Sequence, residues 1–136
     1  MKDGIGIGWT ADTVALLVFD TNAVIAAMAG TLREPLPSGD VAISIITEME
    51  LLCFPNATDN ELRLLKRFIS EVPVLRLDER IKIEAIAIRR EFRLKLPDAI
   101  VAATAVELGA RLVTRDRDFQ RVDRLRTLRP RMLGEA

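Results

Sequence analysis

Apolar and polar positions along this chain alternate between unbroken apolar runs and stripes at helical spacing. Val14 to Phe19 is continuous apolar sequence, the pattern of a strand buried on both faces of a parallel sheet. It ends on Asp20-Thr21-Asn22, where Asn22 or Thr21 can cap a helix from Ala23 to about Ala29 that Gly30 stops. Leu32 to Asp40, with Pro35, Pro37 and Gly39, reads as a loop. Val41 to Ile46 is apolar and β-branched, a second strand or the entry to a helix; Thr47 to Phe54 is helical and Pro55 ends it. In Asn56 to Ser70 the residues Leu62, Leu65, Phe68 and Ile69 make a helix stripe, with Thr58 and Asp59 as capping candidates. Pro73 to Leu77 is a short strand. Asp78 to Leu94 fits both periods, and its length and its Glu, Arg, Lys and Ala content decide for helix. Leu96-Pro97-Asp98 opens a helix of small apolar residues that Gly109 closes. Arg111 to Thr114 is a strand running into a charged loop, Phe119 to Val122 a brief helical turn, and Leu125 to Leu128 a final strand. Strands alternating with helices predict an α/β fold with a parallel or mostly parallel sheet and helices on both faces.

Composition narrows the chemistry. At 136 residues and 49% hydrophobic, the chain is expected to be a single domain with a real core. Twenty basic residues balance twenty acidic ones, so no long-range field draws in nucleic acid and any basic surface is local. With no histidine, imidazole catalysis, Ser-His triads and His-ligated zinc are excluded. The lone Cys53 argues against a disulfide framework and fits a cytoplasmic protein. No apolar run approaches a membrane span, and the N-terminus lacks the order of a secretory signal. Gly4, Gly6 and Gly8 superficially resemble a dinucleotide fingerprint, but no strand precedes them and the third spacing is wrong, so residues 1–14 read as a loose extra segment.

What remains is a set of acids. In an open α/β sheet ligands bind outside the carboxyl ends of the strands, where Asp20 and Asp116 stand. Each has an ordinary alternative: an Asp after a strand caps the next helix, and Asp98 in a first turn suits the helix dipole. Glu48 and Glu50 could equally be solvated helix residues. Together they look less ordinary, because Asp20 follows a wholly apolar strand, Glu50 sits in an otherwise apolar helix and Asp98 opens another. Carboxylates gathered in one cleft repel and resist burial unless a cation neutralises them. Oxygen ligands without histidine select a hard ion, Mg²⁺ or Mn²⁺, the usual equipment for phosphodiester chemistry.

Four segments then form a recognisable series: Leu17-Val18-Phe19-Asp20-Thr21-Asn22, Thr47-Glu48-Met49-Glu50-Leu51, Leu96-Pro97-Asp98-Ala99-Ile100-Val101-Ala102-Ala103 and Leu112-Val113-Thr114-Arg115-Asp116-Arg117-Asp118-Phe119. In this order they resemble the motifs of PIN-domain ribonucleases, and most of all the VapC toxins of toxin–antitoxin pairs. The resemblance runs from Leu16 onward and implies a PIN-like three-layer sandwich of about four to five strands. It places Asp20, Glu50, Asp98 and Asp116 on the catalytic and metal-binding acids; Thr47 in the Thr-x-x-Glu-Leu spacing selects Glu50 over Glu48. It places Asp118 on a position that assists through water, and Asn22, Thr21 and Thr114 on polar positions that orient the acids. It implies hydrolysis of an RNA phosphodiester with one or two Mg²⁺ or Mn²⁺ ions, leaving a 5′-phosphate and a 3′-hydroxyl. It also implies a homodimer and a VapB-type antitoxin whose peptide crosses the acidic cleft and sets an Arg among the carboxylates.

Two basic groups flank the acids in sequence: Arg89, Arg90, Arg93 and Lys95 before Asp98, and Arg115, Arg117, Arg121 and Arg124 after Asp116. They read either as RNA phosphate contacts, with Arg93, Lys95, Arg115 and Arg117 foremost, or as solvated faces paired with Asp118, Asp123 and Glu91. With one Trp, no Tyr and five Phe, a stacking platform is poorly supplied. Two other readings keep the fold and change the function. One is a PIN-fold protein that holds RNA or a partner without cutting, which has no need of a costly acidic cluster. The other is a receiver-like phosphoacceptor, which expects a lysine where this chain has arginines.

Overall fold

The computed structural model describes residues 16–32 and 40–135. The expected N-terminal segment 1–14, the first two residues of the run from Val14, and most of the loop after Leu32 lie outside those residues. The first strand, β1 (Leu16–Phe19), leads into α1 (Thr21–Met28), followed by β2 (Asp40–Ser44), α2 (Ile45–Leu52) and α3 (Asp59–Glu71). Then come β3 (Val74–Leu75), α4 (Glu79–Phe92), α5 (Leu96–Leu108), β4 (Arg111–Val113), a 3₁₀ turn over Arg117–Arg121 and β5 (Thr127–Leu128). The five strands lie in the order β3-β2-β1-β4-β5, and every neighbouring pair is parallel. This is the α/β sandwich expected, with all strands of the sheet parallel.

Alternation along β1 explains the two cores. Leu17 and Phe19 pack with Ala23 and Val24 of α1 and Leu65 of α3, while Val18 packs on the other face with Ile81 and Ile88 of α4 and Ala99 and Ala102 of α5. Both side-chain sets are buried, which is why the strand carries no polar residue until Asp20. The alanines of α5 let that helix lie close to the sheet, and its face from Ala99 to Ala105 is buried throughout.

Two helix starts differ from expectation. Asp20, rather than Asn22 or Thr21, caps α1, because the strand ends at Phe19 and the helix begins at once; the Ala23 amide donates to Asp20 Oδ1 at 2.8 Å. The β-branched run from Val41 divides at Ser44, whose hydroxyl accepts from the Ile46 amide at 3.1 Å, so α2 starts at Ile45 instead of Thr47. The reading of Thr58 as a cap holds: its side chain and that of Glu61 form a reciprocal capping box at the head of α3. Gly109, at φ 64°, ends α5 as expected, in the left-handed conformation that glycine adopts without strain.

Candidate active site

Three helix or loop starts and the end of one helix converge at the carboxyl ends of β1 and β4. Register pairs Phe19 with Val113, and the Asp20 amide donates to the Val113 carbonyl at 3.2 Å, so the two strands deliver Asp20 and Asp116 to one edge of the sheet. Asp98 arrives on the first turn of α5, and Glu50 from the last turns of α2. All four carboxylates line one hollow of about 410 Å³, with Thr21 and Asn22 beside them. Cys53, Val101 and Phe119 complete its wall. Those three were not anticipated, although helical spacing was the available signal: Cys53 follows Glu50 by three positions and Val101 follows Asp98 by three. A smaller hollow of about 110 Å³ is walled by Ile25, Met28, Phe54, Leu64 and Leu65 with Glu61 its sole acid, and offers no comparable chemistry.

Hydrogen bonds fix the acids in different ways. Asp20 is 8% exposed; one oxygen caps α1 and the other accepts the Thr114 hydroxyl. The same Thr114 hydroxyl accepts from the Asp116 amide at 3.0 Å, and Asp116 Oδ1 accepts from the Asp118 amide at 2.9 Å. The Thr21 hydroxyl donates to Glu50 Oε1 at 2.5 Å. Thr21 and Thr114 therefore both hold acids, whereas Asn22 lines the hollow and, among the described residues, bonds to none of them. Thr47, one turn before Glu50, is fully buried in α2, and among the described residues its hydroxyl has no hydrogen-bond partner.

The acids also disturb one another. Burial raises the pKa of Asp20 above its ordinary 3.8, with smaller upward contributions from the charges of Asp116 and Glu50, against the lowering bonds from Thr114 and Ala23. Burial likewise raises Asp98, helped by the charges of Asp116, Glu50 and Asp20 and opposed by Lys95. A hollow in which two carboxylates resist ionisation favours a cation. The four carboxylates offer hard oxygens, which fits Mg²⁺ or Mn²⁺, with the Cys53 thiol the single soft group on the wall. Among the described residues no three His, Cys, Asp or Glu side chains stand close enough to grip an ion directly. An ion in this hollow would therefore take one or two carboxylates directly and complete its shell with water.

The flanking charges divide. Lys95, at the start of α5, is near enough to lower Asp98. Arg93 takes the left-handed position that ends α4, and Arg117 is exposed at the start of the 3₁₀ turn. Arg115 is engaged by the C-terminal segment, donating to the Pro130 carbonyl at 2.6 Å and to Glu135 at 2.7 Å. Asp118 pairs with Arg121 at 3.1 Å, and Arg124 with Glu84 and Glu91; none of these five lines the hollow.

A parallel α/β sandwich with four carboxylates at the crevice end of its sheet is thus the class of molecule that fold and site define. The chain belongs to the PIN domain family, whose model matches residues 17–125. Among solved structures it is similar to a toxin–antitoxin complex from Klebsiella pneumoniae, at 30% identity over 80% of this chain and 94% of that one, with a TM-score of 0.67. It is also similar to DNA-bound VapBC from Salmonella typhimurium, at 25% identity over 85% of this chain and 98% of that one, TM-score 0.70. VapBC2 from Rickettsia felis, at 19% identity over 84% and 98% of the two chains and TM-score 0.70, shares the fold. Comparison with curated proteins gives no match.

Proposed function

We propose that the chain is a metal-dependent endoribonuclease that hydrolyses RNA phosphodiester bonds and acts as the toxin of a VapBC-type pair. The observation that carries this reading is the convergence of Asp20, Glu50, Asp98 and Asp116 on one hollow, where burial and neighbouring charge raise Asp20 and Asp98 above the ordinary carboxylate value. Membership of the PIN domain family and likeness to toxin–antitoxin and VapBC complexes support it.

In this reading the four acids hold one or two Mg²⁺ or Mn²⁺ ions through oxygen. The ion, when bound, lowers the pKa of water and offsets charge building on the phosphorus oxygens. Asp20 is the anchor, because both its oxygens are already fixed by Ala23 and Thr114. Thr21 orients Glu50, Thr114 orients the Asp116 turn, and Lys95 and Arg117, both exposed, are the basic side chains offered to RNA phosphates. Acids that share the hollow, ionised, accept the proton of the attacking water in turn.

A VapB-type antitoxin fits the same reading, since a basic side chain placed in the hollow neutralises what a metal would. A homodimer fits too: Ile83 and Ile86 lie exposed almost one turn apart on α4, an apolar face that a second copy would cover. Among the described residues no helix is long and apolar enough to cross a membrane; we place the activity in the cytoplasm. Incubation of total RNA with the protein tests the proposal: cleavage with Mg²⁺, none with EDTA and none for Asp98→Asn. Cutting that survives chelation or the substitution overturns it.

A further inference from the structure

Asp116 stands on a peptide bond whose two polar groups are both held by side chains. The amide of Asp116 donates to Thr114 Oγ1 at 3.0 Å, and the carbonyl of Arg115, on the other side of the same peptide, accepts from Arg129 Nη1 at 2.7 Å. Thr114 belongs to the acidic site; Arg129 belongs to the C-terminal segment. Arg115 reaches the same segment in the opposite sense, its guanidinium donating to Pro130 and Glu135, and Glu135 also accepts from the Met132 amide at 2.6 Å. The segment is tied at its other end to the chain leaving α1: Met132 bridges Leu32, and the Leu133 amide donates to the Thr31 carbonyl at 2.8 Å.

A peptide plane gripped at both its donor and its acceptor resists rotation, which restrains the backbone on either side and with it the Cα–Cβ direction of Asp116, whose carboxylate then accepts from the Asp118 amide. No other hydrogen bond to the Arg115 carbonyl is recorded among the described residues. We infer that Arg129 is a positioning residue: through the Arg115 carbonyl, and backed by the Arg115–Glu135 pairing, the C-terminal segment sets the orientation in which Asp116 faces the hollow. This inference rests on the metal-site reading above and assigns a part in it to residues beyond Leu128, which none of the four motifs includes.

The test uses the full-length protein, titrated with Mn²⁺ alone and followed by calorimetry, with the melting temperature measured metal-free. Arg129→Ala is expected to weaken Mn²⁺ binding roughly tenfold, the range found when groups behind metal ligands are removed. Arg129→Lys, which still offers a charged donor to the carbonyl, is expected to recover most of that loss. Glu135→Gln, which keeps the Arg129 bond to the Arg115 carbonyl while weakening the charge that faces Arg115 and Arg129, is expected to weaken binding less than Arg129→Ala. Unchanged Mn²⁺ affinity in Arg129→Ala overturns the inference while leaving the metal site standing. So does a loss that lysine fails to recover, or one matched by collapse of the metal-free melting temperature in both Arg129→Ala and Glu135→Gln. If the unsubstituted protein binds no Mn²⁺, the site reading itself is overturned, and the inference with it.

Discussion

Thr114 gives its hydroxyl hydrogen to Asp20, 94 positions earlier in the chain, and that bond adds a side-chain contact to the backbone one between the carboxyl ends of β1 and β4. Asp20 and Thr114 are both buried, so loss of the donor leaves a carboxylate without its partner. Thr114→Val, which keeps the shape, is expected to cost about 1–3 kcal/mol at neutral pH. Thr114→Ser is expected to retain most of the stability. Urea unfolding of the two variants side by side checks this.

Asp20 and Asp98 are both raised above 3.8, so the folded protein binds their protons more tightly than the unfolded chain does. Stability from these two groups therefore falls as pH rises through their folded pKa values, and is regained on acidification until it levels near the ordinary carboxylate value. Metal-free protein is expected to melt higher at mildly acidic pH than at neutral pH. Asp20→Asn is expected to flatten part of that slope. Melting temperatures across pH in a chelating buffer measure both.

Divalent metal should act in the opposite direction. An ion bound only by the folded state stabilises it by mass action, about 2.7 kcal/mol at a hundred times its dissociation constant. Mg²⁺ or Mn²⁺ is expected to raise the melting temperature of the unsubstituted protein at neutral pH, and the rise is expected to shrink in Asp20→Asn and Asp98→Asn. Asparagine still caps a helix, so Asp20→Asn separates loss of charge from loss of the cap. Thermal scans with and without metal decide the matter; equal shifts in all three proteins would count against the site.

Thr58→Ala offers the contrasting case. It breaks the capping box of α3, which contributes nothing to the acidic hollow, and is expected to lower stability by about 1 kcal/mol. Metal affinity and RNA cleavage are expected to stay unchanged, which activity measured well below the melting temperature would show.

The strands and most helix limits were legible because burial on both faces leaves a plain mark: β1 is apolar throughout, and β4 is apolar after Arg111 until it ends. The starts of α1 and α2 were less so. Asp20 and Ser44 each close a strand and open a helix in a single residue, and local pattern cannot show that no loop intervenes. The acids were legible as types and spacings, and their meeting in one hollow follows from a strand order that the pattern left open. The arginines were least legible. Whether Arg115 meets RNA or the C-terminal segment depends on where Pro130 and Glu135 come to rest, a relation across 15 and 20 positions that no local period encodes.

The order β3-β2-β1-β4-β5 has a consequence for how the protein is made. The centre of the sheet is its earliest described strand, yet one of that strand's flanks stays bare until Arg111–Val113 has been synthesised. Closing so long a loop is slow compared with pairing β1 to β2. A nascent chain that has not yet reached Arg111 therefore carries Asp20, Glu50 and Asp98 without Asp116, and the acidic hollow is completed only when β4 joins β1.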